Sequence, residues 1–255
     1  MNRHSFTFPK NYSEAWNELL DLSNELIHYN KKLSNQKFLP ILGLCKKASH
    51  TAFAIASLVS IELWQDSIML SRTLLDLEIV MKWLLHKDTE LRLEAYKQGL
   101  EQEKKRFTNK MQAGKSISSK VANLLFTEEA VNDNNYNEKL ERSWSGMTLR
   151  EMSEEVAMEG NYDMSYWISS IFLHSHYLSI TSLIAEKDDT ENPIFNFFDH
   201  TNSGLSRFMS LTAIPFQLCH IYTFANERLG LQLNDKIESC WTSCHNSLAK
   251  SNDNQ

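Results

Sequence analysis

Two sets of polar side chains at helical spacing lie in otherwise apolar parts of this sequence. Tyr166, Ser170 and His174 recur every four residues in one apolar stretch. On an α-helix, that spacing places a phenol, a hydroxyl and an imidazole along one face. Arg72 and Asp76 share a face of a second apolar segment in the same way. Because a buried polar group is costly without a partner, we expect the two sets to meet in one polar cluster.

The chemistry expected of such a cluster is anion binding and proton transfer. Arg72 can clamp a phosphate through two parallel hydrogen bonds, and His174 can serve as an acid or base near neutral pH. Asp76, Tyr166 and Ser170 complete the set of candidate catalytic residues. A structural arrangement remains open as well, in which Asp76 neutralises a buried Arg72 and the hydroxyls complete its hydrogen bonds.

Other kinds of site lack the pattern that they require. His176 lies two residues after His174, so the two rings point to different sides of a helix and cannot easily bind one metal ion. A serine nucleophile would need a G-x-S-x-G turn, which this sequence does not contain. Cys240 and Cys244 are interpreted as buried thiols, because structural zinc sites usually use two tighter pairs of ligands. We therefore predict neither a metal ion nor a cofactor.

The composition favours a helical protein and narrows its partners. The 255 residues include only 7 Gly and 4 Pro, which turns and sheets both need. A net charge of −6 argues against wholesale nucleic-acid binding through bulk electrostatics, although it leaves room for a local basic patch, and DNA is not expected as a partner. Neither a signal peptide nor a membrane-spanning stretch is found in the sequence, so we expect a cytoplasmic protein with reduced cysteines and no membrane contact.

Apolar periodicity predicts the helices that position the cluster. The predicted core helices lie at about 37–60, 61–87, 162–184 and 202–229. The last of them is expected to kink at Pro215 and to end at Gly230 as a C-cap. Thr148 followed by Glu151 is a capping box that opens another helix, which is expected to run to about 159 and to stop at Gly160 and Asn161.

Together these elements predict one all-α domain spanning residues 1–255, an irregular bundle of about seven to nine helices. Its core is expected over about 12–249, with a polar and basic insertion at 104–137 and a disordered tail at 251–255. The lysines and arginine of 104–120 form either a solvated surface or a contact to the phosphates of a polynucleotide.

The two polar sets also carry a resemblance to a known family. Arg72-Thr-Leu-Leu-Asp76 resembles an Arg-x-x-x-acid element, in which the acid is usually Glu, of a bacterial helical family named domain of unknown function fifty-six seventy-seven. Three further features resemble the second half of that family. They are Ser143-Trp144-Ser145, the helix over 149–157, and Tyr166, Ser170 and His174 at four-residue spacing. The resemblance covers residues from about 40 to 185.

That family is similar in turn to the HEPN superfamily of helical bundles. Many HEPN proteins are metal-independent ribonucleases or toxins of phage-defence and toxin–antitoxin systems, often as homodimers. The resemblance therefore implies a HEPN-like core, RNA or a nucleotide as the substrate, and a dimer or a protein partner.

The motif that carries HEPN activity is an Arg, a polar residue and then a His a few residues further on. No His follows Arg72, Arg142 or Arg150 at that spacing. Ribonuclease activity would thus require Arg72 and His174 to converge from separate helices. The alternative is a non-catalytic helical scaffold that binds a protein partner or a small ligand and uses the polar cluster to specify its core.

Overall fold

A computed structural model describes residues 6–29, 33, 35–99, 145–173 and 207–252 of the chain. Over these ranges every regular element is a helix and no strand is present. The predicted all-α class is therefore confirmed. The predicted insertion at 104–137 and residues 253–255 of the predicted tail lie outside the described residues.

The helices described are numbered here in chain order. They are α1 (Ser13–Ile27), α2 (Leu39–Ser60), α3 (Trp64–His86), α4 (residues 89–99), α5 (Leu149–Glu155), α6 (Glu159–Leu173), α7 (Ile214–Leu229) and α8 (Asn234–Asn252). A 3₁₀ turn at Gln36–Phe38 precedes α2, and a π-helical turn at Met209–Ala213 precedes α7. None of these helices is long and apolar enough to cross a membrane.

Helix α3 is the element around which the others pack. It contacts α2 and α7 on the side of the main core, and it contacts α5 and α6 as well. Helix α1 closes the core by packing against α2, α7 and α8. Apolar side chains such as Trp16, Ile55, Leu84 and Leu218 are fully buried between these helices. Burying each such side chain contributes about 1.5–3 kcal/mol, so this packing, rather than helix propensity, stabilises the fold.

A buried set of hydroxyls connects three of these helices. The Tyr222 hydroxyl on α7 lies 2.5 Å from Ser23 Oγ on α1 and donates to Ser49 Oγ on α2 at 3.2 Å. All three side chains are buried. Because each hydroxyl has a partner, the core avoids the desolvation cost of about 1–3 kcal/mol that an unpaired one would bring.

Two helix ends form as the sequence predicts. The Thr148 backbone N–H donates to the Glu151 carboxylate at 2.6 Å, and the Glu151 N–H donates to Thr148 Oγ1 at 3.2 Å, which completes the capping box. Gly230 follows α7 with φ 64° and ψ 43°, and its N–H donates to Asn226 O at 2.9 Å. This left-handed conformation costs other residues about 1–2 kcal/mol, which explains the glycine.

The predicted stop at Gly160 is wrong. Helix α5 ends at Glu155, and the chain turns over residues 156–158, where Ala157 has a φ of 55°. Gly160 lies in the first turn of α6 instead. A glycine costs a helix only about 0.5–1 kcal/mol, which does not stop a helix that packs against its neighbours. The break falls at Ala157, a residue type that carries no turn signal.

The helical run that contains Pro215 is irregular next to this residue. Pro215 lies in the first turn of α7, directly after the π-helical turn at Met209–Ala213. Proline is accepted at this position because its missing N–H would have no α-helical acceptor. Helix α8 also extends to Asn252, so the first two residues of the predicted tail are helical.

Candidate functional site

Helices α3 and α6 bring Arg72 and Tyr166 into contact. The Arg72 guanidinium carbon lies 4.0 Å from the centroid of the Tyr166 ring, well within the range of a cation–π interaction. Both side chains are half-buried. Two residues chosen from the sequence for their spacing on separate helices therefore meet in the folded chain.

Asp76 lies one turn after Arg72 on α3. Its Oδ1 atom is buried and has no hydrogen-bond partner among the residues that the structure describes. Burial raises the pKa of this carboxyl above its usual range, and the nearby Arg72 charge lowers it only in part. Asp76 is thus a carboxyl that holds its proton to higher pH than an exposed aspartate does.

Among the described residues, the Arg72 guanidinium has no acceptor for its N–H groups. Its contact with the Tyr166 ring is through the face of the cation, and neither a hydrogen bond nor a salt bridge joins it to Asp76 or to another described residue. A guanidinium offers five N–H donors in a fixed planar fork. Here the guanidinium lies over an aromatic ring, and in the part of the chain that the structure describes its N–H donors have no hydrogen-bond acceptor.

The sequence did not single out Tyr162 as a member of this site. The ring of Tyr162 lies 5.2 Å from that of Tyr166, at an interplanar angle of 31°. Burial first, and then the neighbouring Tyr166, raise the pKa of the Tyr162 hydroxyl, with Arg72 acting in the opposite direction. Tyr162 precedes Tyr166 by four residues, so extending the same series one turn backwards would have found it. Arg72, Asp76, Tyr162 and Tyr166 are called the Arg72 cluster below.

Two of the predicted site residues are not placed by the structure. Ser170 belongs to α6, but its side chain lies outside the described residues, and so does the whole of His174. Their part in the site remains a prediction from the four-residue spacing.

A second polar cluster joins α3, α4 and α5. Glu155 accepts hydrogen bonds from Trp83 Nε1 at 2.5 Å and from Arg92 Nη2 at 2.7 Å, and it forms a salt bridge with Lys87 Nζ at 2.5 Å. The Arg92 guanidinium carbon also lies 3.9 Å from the centroid of the Trp83 ring, and Arg92 Nη1 donates to the Trp83 carbonyl. In contrast to Arg72, this arginine uses its donors within the protein, so the second cluster is structural.

Burial and hydrogen bonding oppose each other at Glu155. Burial raises its pKa and is the largest single effect, but the hydrogen bonds from Lys87, Arg92 and Trp83 together outweigh it. They lower the pKa of Glu155 to about 2. The carboxylate therefore stays ionised at neutral pH and holds the three donors in place.

A groove of about 290 Å³ lies between α7 and α8. Trp241 lines it and donates from Nε1 to Thr223 Oγ1 at 3.0 Å, and His245 lies against the Trp241 ring. The lining of this groove includes no member of the Arg72 cluster. No group of three or more His, Cys, Asp or Glu side chains suited to a metal ion occurs in the part of the chain that the structure describes.

The protein is thus an all-helical protein in which the Arg72 cluster lies between α3 and α6. A family model described as a family of unknown function, DUF5677, matches residues 38–192. Because the match covers more than half of the chain, the protein belongs to this family, as the motifs around Arg72 and Tyr166 predict. The match spans α2 to α6 and so includes the Arg72 cluster. No curated protein and no solved structure matches the chain.

Proposed function

We propose that the Arg72 cluster binds the phosphate of an RNA or of a nucleotide. In this proposal the protein is a HEPN-like, metal-independent ribonuclease or nucleotide-acting effector of bacterial phage defence or of a toxin–antitoxin system. The observation that carries it is the half-buried Arg72 guanidinium, which lies over Tyr166 with no hydrogen bond or salt bridge to a described residue.

The physical argument begins with the cost of this arrangement. A cation partly removed from water loses hydration, and a ring face replaces only part of that loss. A phosphate would complete the site, because two of its oxygens match the two parallel N–H groups of a guanidinium. Stacking on Tyr166 fixes the plane of the fork before the ligand arrives, which lowers the entropy cost of binding.

The remaining side chains suit phosphoryl chemistry. In RNA cleavage, a base removes the proton of the 2′-hydroxyl, the resulting oxygen attacks phosphorus, and an acid protonates the departing 5′-oxygen. Arg72 would stabilise the charge on the phosphoryl oxygens in the transition state. Asp76, with its raised pKa, and His174 supply the acid and the base, while Tyr166 and Ser170 orient them.

A second copy of the chain or a protein partner belongs to the same proposal. Met164 and Trp167 on α6 are 57% and 60% exposed, next to the helix face that carries Tyr166. Large exposed apolar side chains are typical of contact surfaces. Light scattering of the purified protein measures whether it is a dimer.

The test compares three substitutions of arginine. Arg72→Ala removes both the charge and the planar set of N–H donors, whereas Arg72→Lys keeps only the charge. Arg228→Ala is the matched control, because the Arg228 guanidinium also lies over an aromatic ring, 5.5 Å from the centroid of Phe224. Binding of a fluorescent single-stranded RNA is measured by anisotropy, and its cleavage is followed on gels. Losing a charge-assisted bidentate contact should weaken binding by about 10-fold to 100-fold in Arg72→Ala, with a smaller loss in Arg72→Lys and none in Arg228→Ala.

Other outcomes separate the alternatives. RNA and nucleotide binding that is unchanged in Arg72→Ala would refute the proposed phosphate site. If Arg72→Ala instead loses helical circular dichroism and melts early, the cluster specifies the core and the scaffold interpretation is correct. Binding without cleavage under any condition identifies a non-catalytic binding protein.

A further inference from the structure

Helices α7 and α8 hold two cysteine thiols in contact. Cys219 Sγ and Cys244 Sγ are 3.9 Å apart, and both side chains are almost fully buried. A disulfide needs a sulfur separation of about 2.05 Å, which side-chain rotation of two neighbouring thiols can provide. We propose that Cys219 and Cys244 form a reversible intramolecular disulfide when a peroxide oxidises the protein.

The geometry selects this pair among the four cysteines. Cys240 and Cys244 lie one turn apart on α8, where Cβ atoms are separated by about 5–6 Å, too far for a disulfide without distorting the helix. Cys45 is a buried, free thiol on α2, a helix that carries no other cysteine. Cys219 and Cys244 come from different helices, so their side chains approach each other across the interface.

The oxidation can be written as two balanced steps. The Cys244 thiolate attacks one oxygen of hydrogen peroxide, the O–O bond breaks, and a sulfenic acid and hydroxide form. The Cys219 sulfur then attacks the Cys244 sulfur, the S–S bond forms, the S–O bond breaks, and the departing hydroxide takes the Cys219 proton to leave as water. Overall, two thiols and one peroxide give one disulfide and two waters, and two electrons pass from sulfur to oxygen.

The order of the steps follows from the surroundings of Cys219. Its contact with Cys244, and then burial, raise the pKa of the Cys219 thiol above its usual value. The Cys219 thiolate is therefore disfavoured, and Cys219 is also 0% exposed whereas Cys244 is 3% exposed, so Cys244 is assigned as the sulfur that peroxide reaches first. The resulting bond would join α7 and α8 covalently, in addition to the turn at Gly230, and would restrict the movement of α8 relative to α7.

The experiment uses the full-length protein with hydrogen peroxide in native buffer. After denaturation without reductant, the free thiols should fall from 4 to about half that number, the intact mass should fall by two hydrogen atoms, and dithiothreitol should reverse both changes. Trypsin should then release peptide 208–228 covalently joined to peptide 237–250. The midpoint of urea unfolding should lie at higher urea concentration for the oxidised protein, because the crosslink restricts the unfolded chain.

Single substitutions locate the bond. Cys219→Ala and Cys244→Ala should abolish the crosslink, whereas the matched control Cys240→Ala should retain it. Fragmentation of the joined wild-type peptides identifies the two sulfurs even if a variant fails to fold. A bond through Cys240 would overturn the proposal, as would sulfinic acids in place of a crosslink. Retention of all the thiols at a peroxide dose that oxidises the urea-unfolded chain would overturn it too.

Discussion

Asp76 is the residue at which stability and function are expected to conflict. Burial raises the pKa of its carboxyl, and no described residue forms a hydrogen bond with Oδ1. Because the folded-state pKa is raised, the stabilising contribution of the protonated form is fully present below the unfolded pKa of about 4. That contribution is lost as the pH rises through the higher folded-state pKa. At neutral pH the ionised carboxylate therefore lowers the stability of the fold.

The substitution Asp76→Asn tests this conflict. A neutral amide of the same shape should raise the free energy of unfolding at pH 7 by about 0.5–1 kcal/mol, an amount limited by solvent screening at a half-buried site. The gain should shrink when urea unfolding is repeated below pH 4, where wild-type Asp76 is itself neutral. RNA cleavage should fall at the same time. A variant less stable than wild type at pH 7 would show that the carboxylate serves the fold.

At the scale of single residues, the spacing of side chains was informative where one helix determined the outcome. Arg72 and Asp76 share one face of α3, and Tyr166 shares a face of α6 with residues four positions away. The helical repeat fixes both placements, whatever the tertiary structure is. The contact between Arg72 and Tyr166 needed only the further assumption that polar groups on apolar helices meet. The absence of an ion pair between Arg72 and Asp76 could not be predicted, since it depends on the ring that competes for the guanidinium.

At the scale of helices, Glu155 joins three elements through one carboxylate. Its hydrogen bonds reach Trp83 on α3, Arg92 on α4 and Lys87 between them. Arg92 and Glu155 are far apart in sequence, and both lie in charged, amphipathic segments that look solvent-exposed. No local pattern distinguishes such a pair from ordinary surface charges, so sequence reasoning missed this junction.

The substitution Glu155→Gln should make stability depend less on pH. Hydrogen bonds hold the folded-state pKa at about 2, below the value of an unfolded glutamate. A lowered pKa contributes stability above the unfolded value of about 4.3 and loses it as the pH falls towards the folded value. We expect Glu155→Gln to cost about 1–2 kcal/mol at pH 7, after allowance for screening near exposed Lys87, and nearly nothing at pH 2.

Urea unfolding of wild type and Glu155→Gln between pH 2 and pH 7 measures this dependence. Glu154→Gln is the matched control, because the salt bridge that Glu154 forms among the described residues, with Arg150, is largely exposed. The control should differ little from wild type at any pH. Equal stability of Glu155→Gln and wild type at pH 7 would show that the junction adds nothing to the fold.

The positions of the helices were predictable to different degrees. The bounds of helices α2 and α3 lie within three residues of the predicted ones, because the apolar side chains of these helices are nearly continuous. The capping box at Thr148 was predictable because the motif requires a Glu or Gln three residues after the Thr, and Glu151 stands at that position. The π-helical turn before Pro215 was missed, since the sequence shows a proline but not which irregularity will accommodate it.

At the scale of the whole molecule, the family match and the packing have different boundaries. The match covers residues 38–192, whereas α1, α7 and α8 lie outside it. Yet these three helices pack on α2, on α3 or on one another, and Tyr222 of α7 supplies the hydroxyl partner of Ser49 on α2. The buried faces of Ile41, Ile55 and Leu74 belong to the same core as Trp16 and Leu218.

A fragment limited to residues 38–192 is therefore expected not to fold on its own. Without α1 and α7, the apolar side chains of α2 would face water, and marginal stability of about 5–15 kcal/mol cannot absorb that loss. Circular dichroism should show reduced helix content, and a dye that binds exposed apolar surface should fluoresce with the fragment but not with the full chain. Cooperative urea unfolding of the fragment would contradict this expectation, and would make the matched region an autonomous unit to which α1, α7 and α8 are additions. If the fragment is unfolded, the Arg72 cluster depends on helices that lie far from it in sequence, and its function must be tested in the intact chain.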